Sequence, residues 1–203
     1  PWDLLETPAR VHPVFFVHRV AGLAPGLYLL ARRPGVVASL RAALSPGFDW
    51  AVPPGAPPGL PFHHLADGDF RERAAALSCH QEIAADGYFS LGMLAEFGDR
   101  IRGRPGEDAG AWHYPRLFHE AGLLGQLFYL EAEAAGCRAT GIGCYFDDLC
   151  HALLGLGGGP AQAAAADPPF QSLYHFTVGG PVEDDRLVTR APYAHLAARR
   201  AVL

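Results

Sequence analysis

The sequence predicts an α+β domain in which helices pack on one mixed β-sheet. Apolar runs with strand character alternate with segments at helical spacing, in the order β, β, α, α, β, α, β, α, β. Half of the 203 residues are hydrophobic and only 18% are charged, a balance that supports a core and argues against disorder. We therefore expect residues 1–203 to form a single domain.

The first elements predicted are two paired strands and a helix. Residues 14–20 and 26–30 are apolar and rich in strand-forming residues, and the linker between them ends in a Pro-Gly pair. Pro34 suits the first turn of a helix, because its missing N–H would have had no partner there, and the helix extends to Leu44. Residues 45–61 are rich in proline and glycine and predict a loop, which continues through the histidine pair at 63–64.

A second helix and a third strand follow. Asp69 with Glu72 three residues later fits a helix cap, so we expect one helix from there to about Ala85, with Cys79 and His80 inside it. Gly87 ends it, and residues 88–95 predict a strand. Four side chains of that strand alternate onto one face: Phe89, Leu91, Met93 and Ala95. Residues 100–110 predict a polar loop.

The longest predicted helix covers residues 114–135. Its apolar stripe at helical spacing consists of Leu117, Ala121, Leu124, Phe128, Ala132 and Ala135. Gly122 and Gly125 within it favour close packing, either against another helix or against a flat ligand. Gly136 should end the helix in a left-handed conformation.

The C-terminal third predicts a short strand, a tight Gly-Ile-Gly turn at 141–143, and a helix capped by Asp147 or Asp148 that ends near Leu154. Gly155 stops that helix. Residues 157–169 are a low-complexity loop, and residues 173–178 form the last strand.

Composition excludes several classes of function. The chain has no lysine, which rules out a phosphate-binding P-loop lysine and a lysine Schiff base. The formal net charge of −5 and the absence of a basic patch with interleaved aromatics argue against nucleic-acid binding. No apolar run reaches the roughly 18 residues that span a bilayer, and without a signal peptide we expect a cytoplasmic protein. Because the chain starts at Pro1, we expect upstream sequence to be missing.

The cysteines and histidines predict no metal site. Cysteines stand at 79, 137, 144 and 150, with no Cys-x-x-Cys pair and no His-Glu-x-x-His pattern. We expect reduced, packed thiols, as is usual in the cytosol. Cys144 lies just before a helix start, where a thiolate is favoured, so a cysteine hydrolase is an alternative. Its bulky neighbours Tyr145 and Phe146 favour a packed thiol instead. Ser90 and Ser172 lack a nucleophile-elbow motif.

The glycine segment is the remaining candidate site. Glycine has no Cβ, so Gly141 and Gly143 would let main-chain N–H groups approach a flat or anionic ligand such as a flavin. The amides of Gly143 and Cys144 would then be the donors. A purely structural turn would use the same glycines, and the residues alone leave both readings open.

Three segments resemble the nitroreductase-like FMN-dependent oxidoreductases. Glu120-Ala-Gly-Leu-Leu-Gly-Gln through Gly136, followed by Ala-Thr-Gly-Ile-Gly-Cys-Tyr-Phe-Asp-Asp at 139–148, resembles the family's long helix and glycine segment. Residues 173–187 resemble its closing strand and C-terminal extension. The strand pair with Gly26-Leu-Tyr-Leu is similar to the branch that includes peptide-azoline dehydrogenases. The likeness covers residues 11–193 and is strongest over 120–186.

The resemblance implies a nitroreductase-like fold, FMN as cofactor, and Gly141, Ile142, Gly143 and Cys144 against its isoalloxazine ring. The flavin itself would carry hydride from a nicotinamide or other reductant to a small-molecule or peptide substrate. A homodimer with FMN at the subunit interface is also implied.

The sequence departs from the family where FMN phosphate is held. The family's N-terminal Arg-Arg-Ser-x-Arg segment has no counterpart here, and only Arg190 lies near the expected C-terminal basic pair. Either the first part of the domain is missing or the flavin site has degenerated. The alternative function is accordingly a non-catalytic scaffold or partner domain of the same fold.

Overall fold

A computed structural model describes residues 8–33, 35–98, 101, 110–156, 169–182, 185–186 and 191–194. Within these residues the chain forms six strands and five helices, which confirms the α+β prediction. The strands are β1 Val11–Val17, β2 Gly26–Leu30, β3 Phe62–Asp67, β4 Phe89–Glu96, β5 Arg138–Ile142 and β6 Phe170–Gly179. The helices are α1 Val36–Ala43, α2 Arg71–Leu77, α3 Ile83–Asp86, α4 His113–Ala134 and α5 Asp147–Leu154.

The six strands form one sheet in the order β3-β2-β1-β4-β6-β5, and each pair of neighbours is antiparallel. The predicted hairpin of β1 and β2 is present, with Val14 opposite Leu29. Strand β5 lies at one edge of the sheet and pairs only with β6 among the described strands. The glycine segment at the end of β5 is therefore on an edge.

Helices cover both faces of the sheet, and each face has its own apolar core. One core contains side chains from α1, α2, α3 and α5, including Leu40, Leu77 and Leu154. The other core lies under α4 and contains Leu117 and Leu124 from the helix with Phe176 from the sheet. Alternation along the strands separates the two, since successive residues point to opposite faces.

Strand β4 and helix α4 confirm their predicted patterns. Leu91, Met93 and Ala95 are buried in the core under α4, and Phe89 packs against it. Most of the predicted helix stripe is buried on the same core, although Ala135 is exposed and follows the helix. Gly136 ends α4 with φ 70°, as predicted.

The single helix predicted over residues 69–85 is wrong. The chain forms α2 and α3 instead, separated by Cys79 and His80 with φ values of 54° and 59°. The left-handed conformation costs a non-glycine residue about 1–3 kcal/mol, so the surrounding contacts must hold it. The histidine pair at 63–64 also differs from prediction, since it lies in β3 rather than in a loop.

Several predicted features lie outside the described residues. They are Pro34, residues 102–109 of the polar loop and residues 157–168 of the low-complexity loop. None of the helices in the described part combines the length and apolar character that crossing a bilayer requires.

A buried carboxylate fixes α4 to the end of the sheet where β1 begins. Glu120 is 4% exposed. Its carboxylate accepts hydrogen bonds from the Arg10 amide at 3.0 Å and the Val11 amide at 3.2 Å, and it pairs with the Arg32 guanidinium. Arg32 also donates to the Val11 carbonyl at 2.9 Å, so helix, β1 and the segment after β2 meet at one carboxylate.

A second carboxylate completes this arginine–carboxylate cluster. Glu96, at the end of β4, accepts from Arg10 Nη1 at 2.7 Å, His12 Nε2 at 3.0 Å and Arg33 Nη2 at 2.9 Å. Burial works to raise the pKa of Glu96, but the hydrogen bonds from His12, Arg33 and Arg10 outweigh it and lower the pKa to about 2. Glu96 is therefore ionised at neutral pH and keeps its partners.

We expect Glu120→Ala to destabilise the fold by about 3–5 kcal/mol, because it removes the carboxylate that neutralises a buried guanidinium and accepts from two amides. Glu120→Gln should cost less, since one oxygen remains to accept. Urea unfolding followed by circular dichroism measures both. Glu131→Ala, on an exposed position of the same helix, is the control and should change stability by less than about 0.5 kcal/mol. Equal losses for Glu120→Ala and Glu131→Ala would contradict the anchor role.

Candidate functional site

The predicted Gly-Ile-Gly turn is wrong in its first two residues. Gly141 and Ile142 are the last residues of β5 and pair with Phe176 and His175 in β6. Neither Gly141 nor Gly143 adopts a left-handed conformation. Glycine is therefore not required at either position by backbone geometry, and the reason for each must lie in its surroundings.

Gly141 is a glycine because a tyrosine occupies the space where a side chain would be. A Cβ built on Gly141 would overlap the hydroxyl of Tyr174. The Gly141 amide is also engaged, since it donates to Tyr129 Oη on α4 at 3.0 Å. The close approach that the glycine permits is thus made by the chain itself, and contact between Gly141 and a ligand stays a prediction.

The side chain of Ile142 is likewise part of the apolar core. Its side chain is 2% exposed and belongs to the core on the α5 face of the sheet. It anchors the end of β5 at the place where the chain leaves the sheet. The predicted contact between Ile142 and a ligand would have to come from its main chain.

Gly143 is the residue of this segment with open space. It is exposed, and a Cβ built on it would meet no atom within 4 Å. Its amide has no acceptor among the residues that the structure describes. An exposed amide with free space around its Cα is what a flat ring needs for face-on or edge-on contact with main chain. Contact between Gly143 and a flat ring stays a prediction.

Cys144 is not the packed free thiol that the sequence predicts. It forms a disulfide with Cys79, with 5.9 Å between the two Cα atoms. The disulfide joins the segment after β5 to the left-handed turn between α2 and α3. Since a disulfide sulfur is not a thiolate, this overturns both the packed-thiol prediction and the cysteine hydrolase alternative in the oxidised protein. The spacing of 65 residues gave no signal of the pairing.

Hydrogen bonds reinforce the same contact. Gln81 Nε2 donates to the Cys144 carbonyl at 3.1 Å, and the Phe146 amide donates to the Leu77 carbonyl at 2.8 Å. The ring of His80 lies edge-on to that of Phe146, with 6.4 Å between centroids. Residues 144–146 are therefore held against the α2–α3 turn by main-chain and side-chain contacts as well as by the sulfurs.

A buried histidine lies directly behind the segment, and sequence reasoning missed it. Tyr145 stacks on His175 with 4.4 Å between ring centroids and 9° between planes. His175 Nε2 is 3.0 Å from Ser172 Oγ. Burial lowers the pKa of His175 to about 4, so the ring is neutral at pH 7. No sequence motif marks it, because the partners come from β6 and the segment after β5.

Ser172 is also held by its surroundings. Its amide donates to His151 Nε2 at 3.0 Å. Neighbouring Cys150 is buried, and burial raises the pKa of its thiol to about 11, which leaves it protonated and unreactive. Ser172 and His175 are each only 2% exposed, so a substrate cannot reach this serine–histidine pair. We interpret the group as the support of the Tyr145 ring.

A separate cavity of about 570 Å³ lies on the α4 face at the opposite end of the helix from Glu120. Its walls are mainly apolar and include Phe89, Phe128 and Val178, with Cys137 among the lining residues. None of the residues predicted to contact a cofactor lines it. The structure therefore does not bring the glycine segment and this cavity together.

Most described arginines with identified contacts are paired with carboxylates of the chain itself. Arg190 lies outside the described residues. Nine described arginines already contact a carboxylate or an aromatic ring: Arg10, Arg19, Arg32, Arg33, Arg71 and Arg138 contact carboxylates, and Arg41, Arg73 and Arg116 lie over rings. Binding a phosphate with one of the six carboxylate-paired arginines would weaken an existing ion pair, whereas stacking on a ring leaves the N–H donors at the edge of a guanidinium.

Comparisons with known proteins identify the fold. No family model matches the sequence, and no curated protein matches it. A proposed nitroreductase from Anabaena variabilis superposes on 85% of the chain with a TM-score of 0.60 at 21% identity. A proposed nitroreductase from Ralstonia eutropha superposes on 87% with a TM-score of 0.51 at 14% identity.

The fold is nitroreductase-like. Identities this low establish the architecture and leave activity open. The chain spans 27% of the length of the Anabaena protein and 60% of the Ralstonia protein. The fold predicted from the resemblance is thus confirmed, whereas its peptide-azoline dehydrogenase branch is not.

The two glycines should respond differently to alanine. Gly141→Ala places a methyl group on the Tyr174 hydroxyl and should destabilise the fold by about 1–3 kcal/mol. Gly143→Ala should leave stability within about 0.5 kcal/mol, because it meets no atom. Thermal unfolding of the two variants measures the difference. Adding Tyr174→Phe to Gly141→Ala removes the nearest clashing atom and should restore part of the loss. Equal losses at the two glycines would show that the assignment of space is wrong.

Proposed function

We propose that this chain is part of an FMN-dependent oxidoreductase, with Gly143 beside the isoalloxazine ring. The nitroreductase-like fold supports the class, and the open, exposed main chain of Gly143 at the end of the edge strand is the observation that carries the site. FMN would supply hydride transfer at its N5 atom. The first test is a flavin absorbance band that stays with the protein through gel filtration, measured on a version extended upstream, and its absence there after incubation with saturating FMN would count against the proposal.

The chain's own residues would position the ring. The Gly143 amide would donate a hydrogen bond to it, and the Cys144 carbonyl, held by Gln81, would keep that amide in place. Tyr145 is fixed from behind by its stack on neutral His175. Because these contacts already hold the segment, it moves little on binding, and the free-energy cost of ordering it is small.

The described residues are less suited to bind the phosphate group of FMN than its ring. FMN phosphate carries about two negative charges and needs arginines or free amides. Arg190 is the candidate that the resemblance gives, and the contacts of the arginines described above favour a further source upstream of Pro1. We keep Arg190 and this upstream source as parts of the proposal.

A homodimer is the proposed assembly. The outer side of α4 exposes Phe118, Leu127, Tyr129 and Leu130, each with at least 41% of its surface accessible. A helix that is apolar on its outer as well as its inner side is typical of a buried helix. A second copy seated on α4 would cover these side chains and bring another chain close to Tyr129, which binds the Gly141 amide.

The proposal also includes a cytoplasmic location and a small-molecule or peptide substrate, including a peptide azoline.

A non-catalytic scaffold of the same fold is the second candidate. The specific observation in its favour is that six described arginines are paired with carboxylates of this chain. Such a domain would keep the Gly141–Tyr174 packing and the Glu120 anchor, because both serve folding. It would not bind FMN even when upstream sequence is present.

We expect Gly143→Val to weaken FMN binding by at least about tenfold, because the branched side chain occupies the space proposed for the ring. The fold should survive, since no atom of the chain lies within 4 Å of a Cβ at this position. Flavin fluorescence quenching measures affinity, and circular dichroism reports folding. Gly143→Ala is the matched control and should bind better than Gly143→Val. Unchanged affinity in Gly143→Val would mean that the segment is not in the site.

We expect the 203-residue chain to bind FMN poorly and a version extended upstream to bind it at least about tenfold more tightly. Losing one or two charge-assisted hydrogen bonds, at about 1.5–3 kcal/mol each, accounts for that difference. Titrating both versions under the same salt measures it, with Arg190→Ala in each version as a control. Tight binding by the short chain that Arg190→Ala abolishes would place the phosphate on Arg190 and refute the need for upstream residues.

A further inference from the structure

The Cys79–Cys144 disulfide joins two segments that lie 65 residues apart in the sequence. Cys79 lies in the left-handed turn between α2 and α3, and Cys144 lies at the exposed end of the segment after β5. Cys144 is an exposed residue and Cys79 is half-buried, which places the bond near the surface of the protein. Accessibility of a sulfur to an attacking thiolate is one of the factors that decide whether a disulfide exchanges.

Reduction would loosen the two segments without separating them. The hydrogen bonds from Gln81 to the Cys144 carbonyl and from Phe146 to the Leu77 carbonyl do not involve sulfur. They would hold the two thiols near each other after reduction, which favours closing the bond again. The left-handed residues Cys79 and His80 form a second independent observation, because reduction frees one of them to leave a disfavoured conformation.

We propose that Cys79 and Cys144 form a reversible thiol–disulfide pair that exchanges with small thiols and controls the order of residues 143–146. This proposal does not depend on FMN binding. The thiolate of a small dithiol attacks the Cys144 sulfur, the protein S–S bond breaks, and its electron pair leaves on the Cys79 sulfur, which takes a proton. The second thiolate of the reagent then displaces Cys144 as a thiol, and the reagent becomes a cyclic disulfide. A small-molecule disulfide such as oxidised glutathione reverses the two-electron change.

The other two cysteines serve as internal standards. Cys150 is 1% exposed, and burial raises its thiol pKa to about 11, so it should not react in the folded protein. Cys137 is a free and half-buried thiol on the other side of the sheet, and it should react in either redox state. All four cysteines of the chain are accounted for in this way.

The test is a count of alkylated cysteines by mass spectrometry in native buffer. With iodoacetamide we expect Cys137 alone to react in the oxidised protein and Cys137, Cys79 and Cys144 to react after mild dithiothreitol treatment. Oxidised glutathione should return the count to one. Cys137→Ser removes the constant signal, so its counts should be none and two. A count that rises only in denaturant, or that already includes Cys79 and Cys144 in protein kept under oxidised glutathione, overturns the proposal.

Hydrogen exchange tests the control of order. Reduction should raise amide exchange severalfold in peptides covering residues 78–82 and 143–146 and leave peptides from β1 and β4 unchanged. Cys144→Ser should exchange like the reduced protein whether or not dithiothreitol is added. If the alkylation count changes but exchange over 143–146 does not, the pair is reversible and the claim about order is wrong.

Discussion

The placement of α4 depends on one buried carboxylate. Glu120 loses most of its hydration on burial, and two main-chain amides and the Arg32 guanidinium replace it. Because those amides belong to Arg10 and Val11, the carboxylate sets the height of the helix relative to β1. Tyr129 lies nine residues further along α4, about 13 Å at 1.5 Å per residue. The hydrogen bond from the Gly141 amide to Tyr129 can form only if that height is right.

The edge strand is thus positioned from both sides. Tyr129 on α4 holds the Gly141 amide, and Tyr174 on β6 fills the space beside its Cα. The chain leaves the sheet after Ile142, and Gly143 has neither contact. A rigid strand that ends in one open residue is a favourable platform for a ligand, since the rest of the segment does not have to be ordered on binding.

Sequence reasoning succeeded where local patterns and the final structure agree. Strand β4 alternates because one face of it is buried under α4, and Gly136 ends α4 because no other residue fits φ 70° as easily. It failed where a distant contact overrides the local preference. Residues 71–86 contain good helix formers, yet Cys79 and His80 break the helix in the left-handed region, beside a bond to a residue 65 positions away.

The site shows the same division. The glycine segment was predicted from the sequence, but the different surroundings of Gly141 and Gly143 were not, because they depend on which side chain of β6 reaches the space beside each Cα. Ser172, His175 and Tyr145 carry no motif, since a neutral buried histidine is recognisable only once its stack and its low pKa are known. Arg190 could be neither supported nor corrected, because it lies outside the described residues.

Because the chain has no lysine, its arginines are the side chains available both to buried carboxylates and to an incoming anion. An arginine can serve a buried carboxylate or an incoming phosphate, and its planar guanidinium suits both. In the arginine–carboxylate cluster, Arg10, Arg32 and Arg33 are committed to Glu96 and Glu120, which are needed for the sheet and α4 to meet. Releasing one of them to a ligand would leave a buried carboxylate with fewer donors, at a cost comparable to the gain from the new contact. An anion is therefore best held by main-chain amides together with arginines that have no part in folding.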